Sequence, residues 1–176
     1  IALALKVFKG LRNQRITIFT LSELQKNFDN TLEADSPLLM IARSQLQEML
    51  TEFENNPTTQ GLNASNGSET FIVIREQTTE DGDVSDVLTA AILGHELGHS
   101  IFNKALTELE ANPILHKRLI DAFTAAINGP LKDVEQYKGI DGFEEWYSDQ
   151  VAAFLLNKKK TAKNGADSYF KRLAQK

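Results

Sequence analysis

The chain has 176 residues, 41% hydrophobic and 24% charged, the proportions of an ordinary soluble globular domain. It contains no cysteine, which excludes disulfide frameworks and thiolate metal sites and leaves imidazole and carboxylate as the metal ligands available. The net charge of -5 is unevenly spread, because residues 158–176 carry seven Lys/Arg against one Asp.

No apolar run approaches the roughly 20 residues that cross a bilayer, and the opening IALALKVFKG is short and lacks the small-residue cleavage pattern of a secretory signal. The expectation is a soluble protein with no signal peptide or membrane span, its compartment open. A start at Ile1 rather than methionine points to a processed product or a domain cut from a longer polypeptide. The length fits one domain over residues 1–176 with a basic C-terminal segment, 158–176. That segment could meet nucleic acid or an acidic partner, but aromatic interleaving suited to base stacking is not evident, and a solvated helix end and tail is the plainer account.

In chain order, RITIFT (15–20) alternates and is rich in β-branched residues, which predicts a strand, and residues 21–29 predict a short helix. Ser36-Pro37 offers an N-cap and first-turn proline to a helix whose stripe is Leu39, Ile41, Leu46, Met49, Leu50 and Phe53, ending near Asn55-Asn56-Pro57. NNPTTQGLNASNGSE reads as a loop, since Asn, Gly, Ser and Thr favour turns. TFIVIR (70–75) predicts a second strand. After TTEDGDVSD, Asp83 or Ser85 can cap a helix from about 85 to 105; Asn112-Pro113 starts another, which Asn128-Gly129-Pro130 stops. A last helix is expected from Asp141-Gly142 to about Lys159.

The chemistry concentrates at Gly94-His95-Glu96-Leu97-Gly98-His99. Residues four apart share a helix face, so His95 and His99 can aim both imidazoles at one ion, while Glu96 lies beside them as a general base. The plainer alternative, a surface face with two histidines, fits poorly with the apolar residues around it, Leu88, Ala91, Ile92, Leu93, Ile101 and Phe102. A catalytic zinc needs a third protein ligand. A histidine six residues after His99 is ruled out by Ala105, with Phe102 where that arrangement wants glycine, and His116 reads as an exposed polar residue or a substrate-site group. A carboxylate from a second helix is the other route: Glu145 and Asp149 are four apart, so Glu145 can bind the ion and Asp149 can accept the distal N–H of a ligating histidine. Two imidazoles, one carboxylate and water suit Zn2+.

H-E-x-x-H with E-x-x-x-D on a second helix resembles the gluzincin clan of zinc metallopeptidases, and Ser148 extends the likeness to the E-x-x-S-D of thermolysin-like enzymes. The resemblance implies an α+β zincin-like domain with a small mixed sheet packed on the two metal helices. It makes His95, His99 and Glu145 zinc ligands, Glu96 the base that activates water for hydrolysis of a peptide or protein substrate, and Asp149 the partner of His95. It also places residues 70–75 as the strand on the rim of the cleft, where an extended peptide adds as an extra strand. Two departures stand out. The stretch from His99 to Glu145 is long enough to hold the helix 113–128, and no histidine follows His116 to stabilise an oxyanion. Tyr137 is the replacement expected, with Tyr147 and Tyr169 behind it. The competing reading is a non-catalytic binding or assembly module that keeps a structural zinc, which would have no use for Glu96.

Overall fold

The computed structural model describes residues 15–28, 37–65, 69–78, 81 and 85–156. These form a mixed α and β structure with a three-stranded sheet and five α-helices among the described residues. They cluster into two compact units whose boundary falls between Leu93 and Gly94, inside one continuous helix.

The first unit, Arg15–Leu93, is organised around the sheet. Strand β1 (Arg15–Thr20) runs directly into α1 (Leu21–Asn27). The switch is made by a capping box: the Thr20 hydroxyl accepts the Glu23 amide at 3.2 Å and the Glu23 carboxylate accepts the Thr20 amide at 3.2 Å. Helix α2 spans Pro37–Asn55 and buries Leu46, Met49, Leu50 and Phe53. These pack with Leu21 and Leu24 of α1 and with Phe71 and Val73 of the sheet in one apolar core. The predicted cap Ser36 and the side chains of Leu39 and Ile41 lie outside the described residues.

Strand β3 (Glu69–Ile74) matches the expected strand to within a residue, but its place differs from expectation. The sheet order is β1-β3-β2, so β3 is the central strand, parallel to β1 and antiparallel to β2. Phe71, Ile72, Val73 and Ile74 are all buried, so both faces are covered. A central strand has no free edge for an added peptide, which removes residues 70–75 from that role. Strand β2 (Gly61–Ser65) corrects a second expectation, since it lies inside the stretch read as a loop. Its GLNAS carries no β-branched or aromatic residue; pairing with β3 across Gly61–Ile74 to Ser65–Thr70 holds it extended.

Helix α3 (Asp86–Glu110) passes from the first unit into the second. Ser85 caps it, its hydroxyl accepting the Leu88 amide at 3.3 Å; Asp83, the other candidate, lies outside the described residues. The helix continues five residues beyond the expected end because Ala105 and Leu109 prolong its buried stripe. Helix α4 (Pro113–Ile127) has Asn112 as its N-cap, accepting the Leu115 amide at 3.2 Å, and stops at Asn128 as expected. A 3-10 turn, Glu135–Tyr137, leads to α5 (Gly142–Leu155), which ends four residues before the expected Lys159. No helix among the described residues is long and apolar enough to cross a membrane. The basic segment 158–176, Tyr169 included, lies outside the described residues.

Leu46 is fully buried at the centre of the first unit's core. Leu46→Ala is expected to destabilise the protein by about 2–5 kcal/mol, the usual cost of an unfilled core cavity, read as a lower urea midpoint.

Candidate metal centre

The second unit brings α3 and α5 into unusually close contact, and glycine is the reason. A Cβ on Gly98 would lie 2.5 Å from the Ser148 Cα, and one on Gly94 would lie 2.9 Å from the Ala152 Cα. Two glycines four apart on α3 therefore seat on two small residues four apart on α5. The rising number on one helix meets the falling number on the other, so the helices run antiparallel. Each of these four residues adjoins or closely follows a functional one, which sets His95 and His99 opposite Glu144, Glu145 and Asp149. Gly142 makes a similar approach at the start of α5: a Cβ there would meet the Tyr137 carbonyl at 2.2 Å, so glycine lets the 3-10 turn fold against the helix.

The two imidazoles face one another with Nε2 atoms 3.0 Å apart. Glu145 spans them, one oxygen 3.3 Å from His95 Nε2 and the other 3.6 Å from His99 Nε2. Ligands about 2.0–2.1 Å from a tetrahedral ion stand roughly 3.3 Å from one another, so these three separations bracket the edges of such a site. His95, His99 and Glu145 form a group that could hold a metal ion.

Each ring is anchored from behind. His95 Nδ1 donates to Asp149 Oδ1 at 2.8 Å, and His99 Nδ1 donates to Glu144 Oε1 at 2.8 Å. A carboxylate can only accept, so each Nδ1 carries the proton and each Nε2 turns its lone pair forward. Two lone pairs 3.0 Å apart repel unless a proton or a cation sits between them. Burial disfavours a charged His95, but hydrogen bonds to Asp149 and Glu145 outweigh it and push its pKa up to about 10. The His95 hydrogen bond holds the Glu145 carboxyl below the usual range, against the opposing effect of burial.

Glu96 is 7% exposed, the only buried ionised-type side chain among the described residues. Burial raises its pKa, opposed by the charges of His95 and His99. Its carboxyl is thus close enough to feel the cage yet is not one of the three converging ligands. Asp149 occupies the place expected of it, on His95, and its second oxygen accepts the Tyr137 hydroxyl and the Gln136 amide, the latter at 3.1 Å. Burial, then the bond to Asp149, raises the Tyr137 pKa. The structure brings Tyr137 to Asp149, where its proton is engaged.

Tyr147 is fully buried against Phe102, with ring centroids 5.3 Å apart, and His116 lies beside Phe143 at 6.4 Å. Tyr147 joins an aromatic cluster of Phe102, Phe143, Phe123 and Trp146, half-buried His116 packs at its edge, and neither is one of the three converging ligands. Sequence reasoning missed Glu144 and Gln136. Glu144 was visible only as the neighbour of Glu145, and Gln136 carried no signal. No protein-family model, no curated protein and no solved structure matches this chain.

Two outcomes test this geometry. Gly98→Ala must push against backbone, so urea unfolding should show a loss of about 1–3 kcal/mol. Ser148→Ala removes a buried hydroxyl with no hydrogen-bond partner among the described residues and should leave stability unchanged or raise it by about 1 kcal/mol. The raised pKa of His95 supplies a third. A base whose pKa rises from 6.5 to about 10 on folding stabilises the metal-free protein fully below pH 6.5, and that contribution drains away as pH climbs towards 10. The melting temperature of chelator-treated protein should fall across that window, and fall less in His95→Gln.

Proposed function

We propose that this chain is a zinc-dependent metallopeptidase of the gluzincin type that hydrolyses peptide bonds in a peptide or protein substrate. The observation that carries the reading is the convergence of His95 Nε2, His99 Nε2 and Glu145 at tetrahedral spacing, with Glu96 buried beside them. Two imidazoles, one carboxylate and an open position are a donor set that suits zinc. Bound there, a zinc ion supplies Lewis acidity towards a carbonyl and acidifies water.

The protein's own residues supply the rest. Glu96 is the proton carrier: its burial favours uptake of a proton from water, and the same group can return that proton to the departing amine. Asp149 and Glu144 keep the rings turned with Nε2 forward through the cycle. Tyr137, expected from its position to steady an oxyanion, is engaged with Asp149, and we assign it to holding that carboxylate in place. A purely structural metal would leave unexplained why a carboxyl is buried next to the cage, which is why the catalytic reading is preferred.

The test is digestion of a complex peptide mixture by zinc-loaded protein, read by mass spectrometry. Glu96→Gln should keep zinc and lose turnover by two or more orders of magnitude, within the range of roughly 10²–10⁴-fold for general-base catalysis. Glu145→Ala should lose zinc. Wild-type turnover in either variant would sink the assignment.

A further inference from the structure

Glu144 stands next to the third ligand in the sequence and does a different job in space. Its carboxylate reaches back from the first turn of α5 to His99 Nδ1, as Asp149, just over a turn further on, reaches His95 Nδ1. The antiparallel register explains the match: descending α3 from His99 to His95 corresponds to ascending α5 from Glu144 to Asp149. We infer that Glu144 is the positioning residue of His99, so that every imidazole of the cage has its own carboxylate and both come from the helix that supplies Glu145.

The two arms are built unequally. On the His95 side, Asp149 is itself held by the Tyr137 hydroxyl and the Gln136 amide, so the carboxylate stays in place even if one donor is lost. On the His99 side, Glu144 Oε1 bonds the ring and the carboxylate has no second donor among the hydrogen bonds of the described residues. Its side chain is 33% exposed, comparable with 34% for Asp149, so water competes at both, but Asp149 alone is braced from the 3-10 turn. The His99 arm therefore depends on one side chain. Removing Glu144 frees the ring to rotate and to present the wrong nitrogen, whereas removing the Tyr137 hydroxyl still leaves Gln136 on Asp149.

This inference rests on reading His95, His99 and Glu145 as a metal site, and its test uses metal affinity rather than turnover. Zn2+ affinity would be measured by competition with a chromophoric chelator for wild type, Glu144→Ala, Glu144→Gln and Tyr137→Phe. Glu144→Ala should bind about 10–100-fold more weakly, the usual cost of losing a carboxylate behind a ligating histidine. Glu144→Gln keeps an oxygen that can accept from Nδ1 and should recover most of the loss. Tyr137→Phe should lose less than Glu144→Ala. The Nδ1 proton of His99, followed by nitrogen-edited NMR, should be protected in wild type and Glu144→Gln and exchange rapidly in Glu144→Ala. Equal affinity of Glu144→Ala and wild type, or a Glu144→Gln no better than Ala, overturns the inference. Intact affinity ranking in a protein that cleaves nothing would instead sink the peptidase reading and leave Glu144 in its place.

Discussion

The contact of Gly94 and Gly98 with Ala152 and Ser148 is the constraint on which the candidate site depends. Side chains larger than hydrogen on α3 would hold α5 off by the width of a methyl group or more, and three ligand atoms could no longer gather within the few ångströms a single ion spans. Helix packing and metal chemistry are thus one problem in this unit. The small residues set the distance between backbones, and the antiparallel register decides which carboxylate meets which ring. Ser148 belongs to this packing: its Cα and Cβ face Gly98, and its hydroxyl has no hydrogen-bond partner among the described residues. The seam asks for a small residue at this position, and hydrogen bonding does not set the choice.

Charge sets the second constraint. Four carboxylates, Glu96, Glu144, Glu145 and Asp149, surround two imidazoles on adjoining helices, an arrangement that repels itself unless positive charge sits among them. The raised pKa of His95 answers part of that need, and a divalent cation held by His95, His99 and Glu145 would answer it more fully. The same electrostatics separates the roles of the acids. Glu145 is drawn down by His95 and so favoured as an anion, while Glu96, buried and deprived of water, is pushed up. Environment alone pushes two neighbouring carboxyls in opposite directions, which suits one to the ligand role and the other to the proton-carrying role proposed for them.

The unit built on the sheet follows simpler rules. Its core forms where α1 and α2 lay Leu24, Leu46 and Phe53 against Phe71 and Val73. Helix α2 was legible because its stripe repeats at helical spacing, β1 because its β-branched run alternates, and β3 because Phe71-Ile72-Val73-Ile74 is a short continuous run of strand-favouring apolar residues. β2 was not: Gly61-Leu62-Asn63-Ala64-Ser65 has turn-like composition, and only the open side of β3 makes a strand of it. The placing of β3 at the centre of the sheet depends on the same pairing, which no local pattern in TFIVIR discloses.

What the sequence by itself determined is the identity of the converging groups. H-E-x-x-H at helical spacing puts His95 and His99 on one face, and Glu145 with Asp149 repeats that spacing on a second helix, so periodicity alone ties each pair together. What only the tertiary structure decided is how the pairs meet. Glu144 on His99, Tyr137 and Gln136 on Asp149, and the seating of Gly98 on Ser148 are contacts between residues 12 to 50 positions apart in the chain. Local patterns report which face a side chain takes on its own helix, and they carry no information on the register between two helices, which is set by the fit of small residues across the seam.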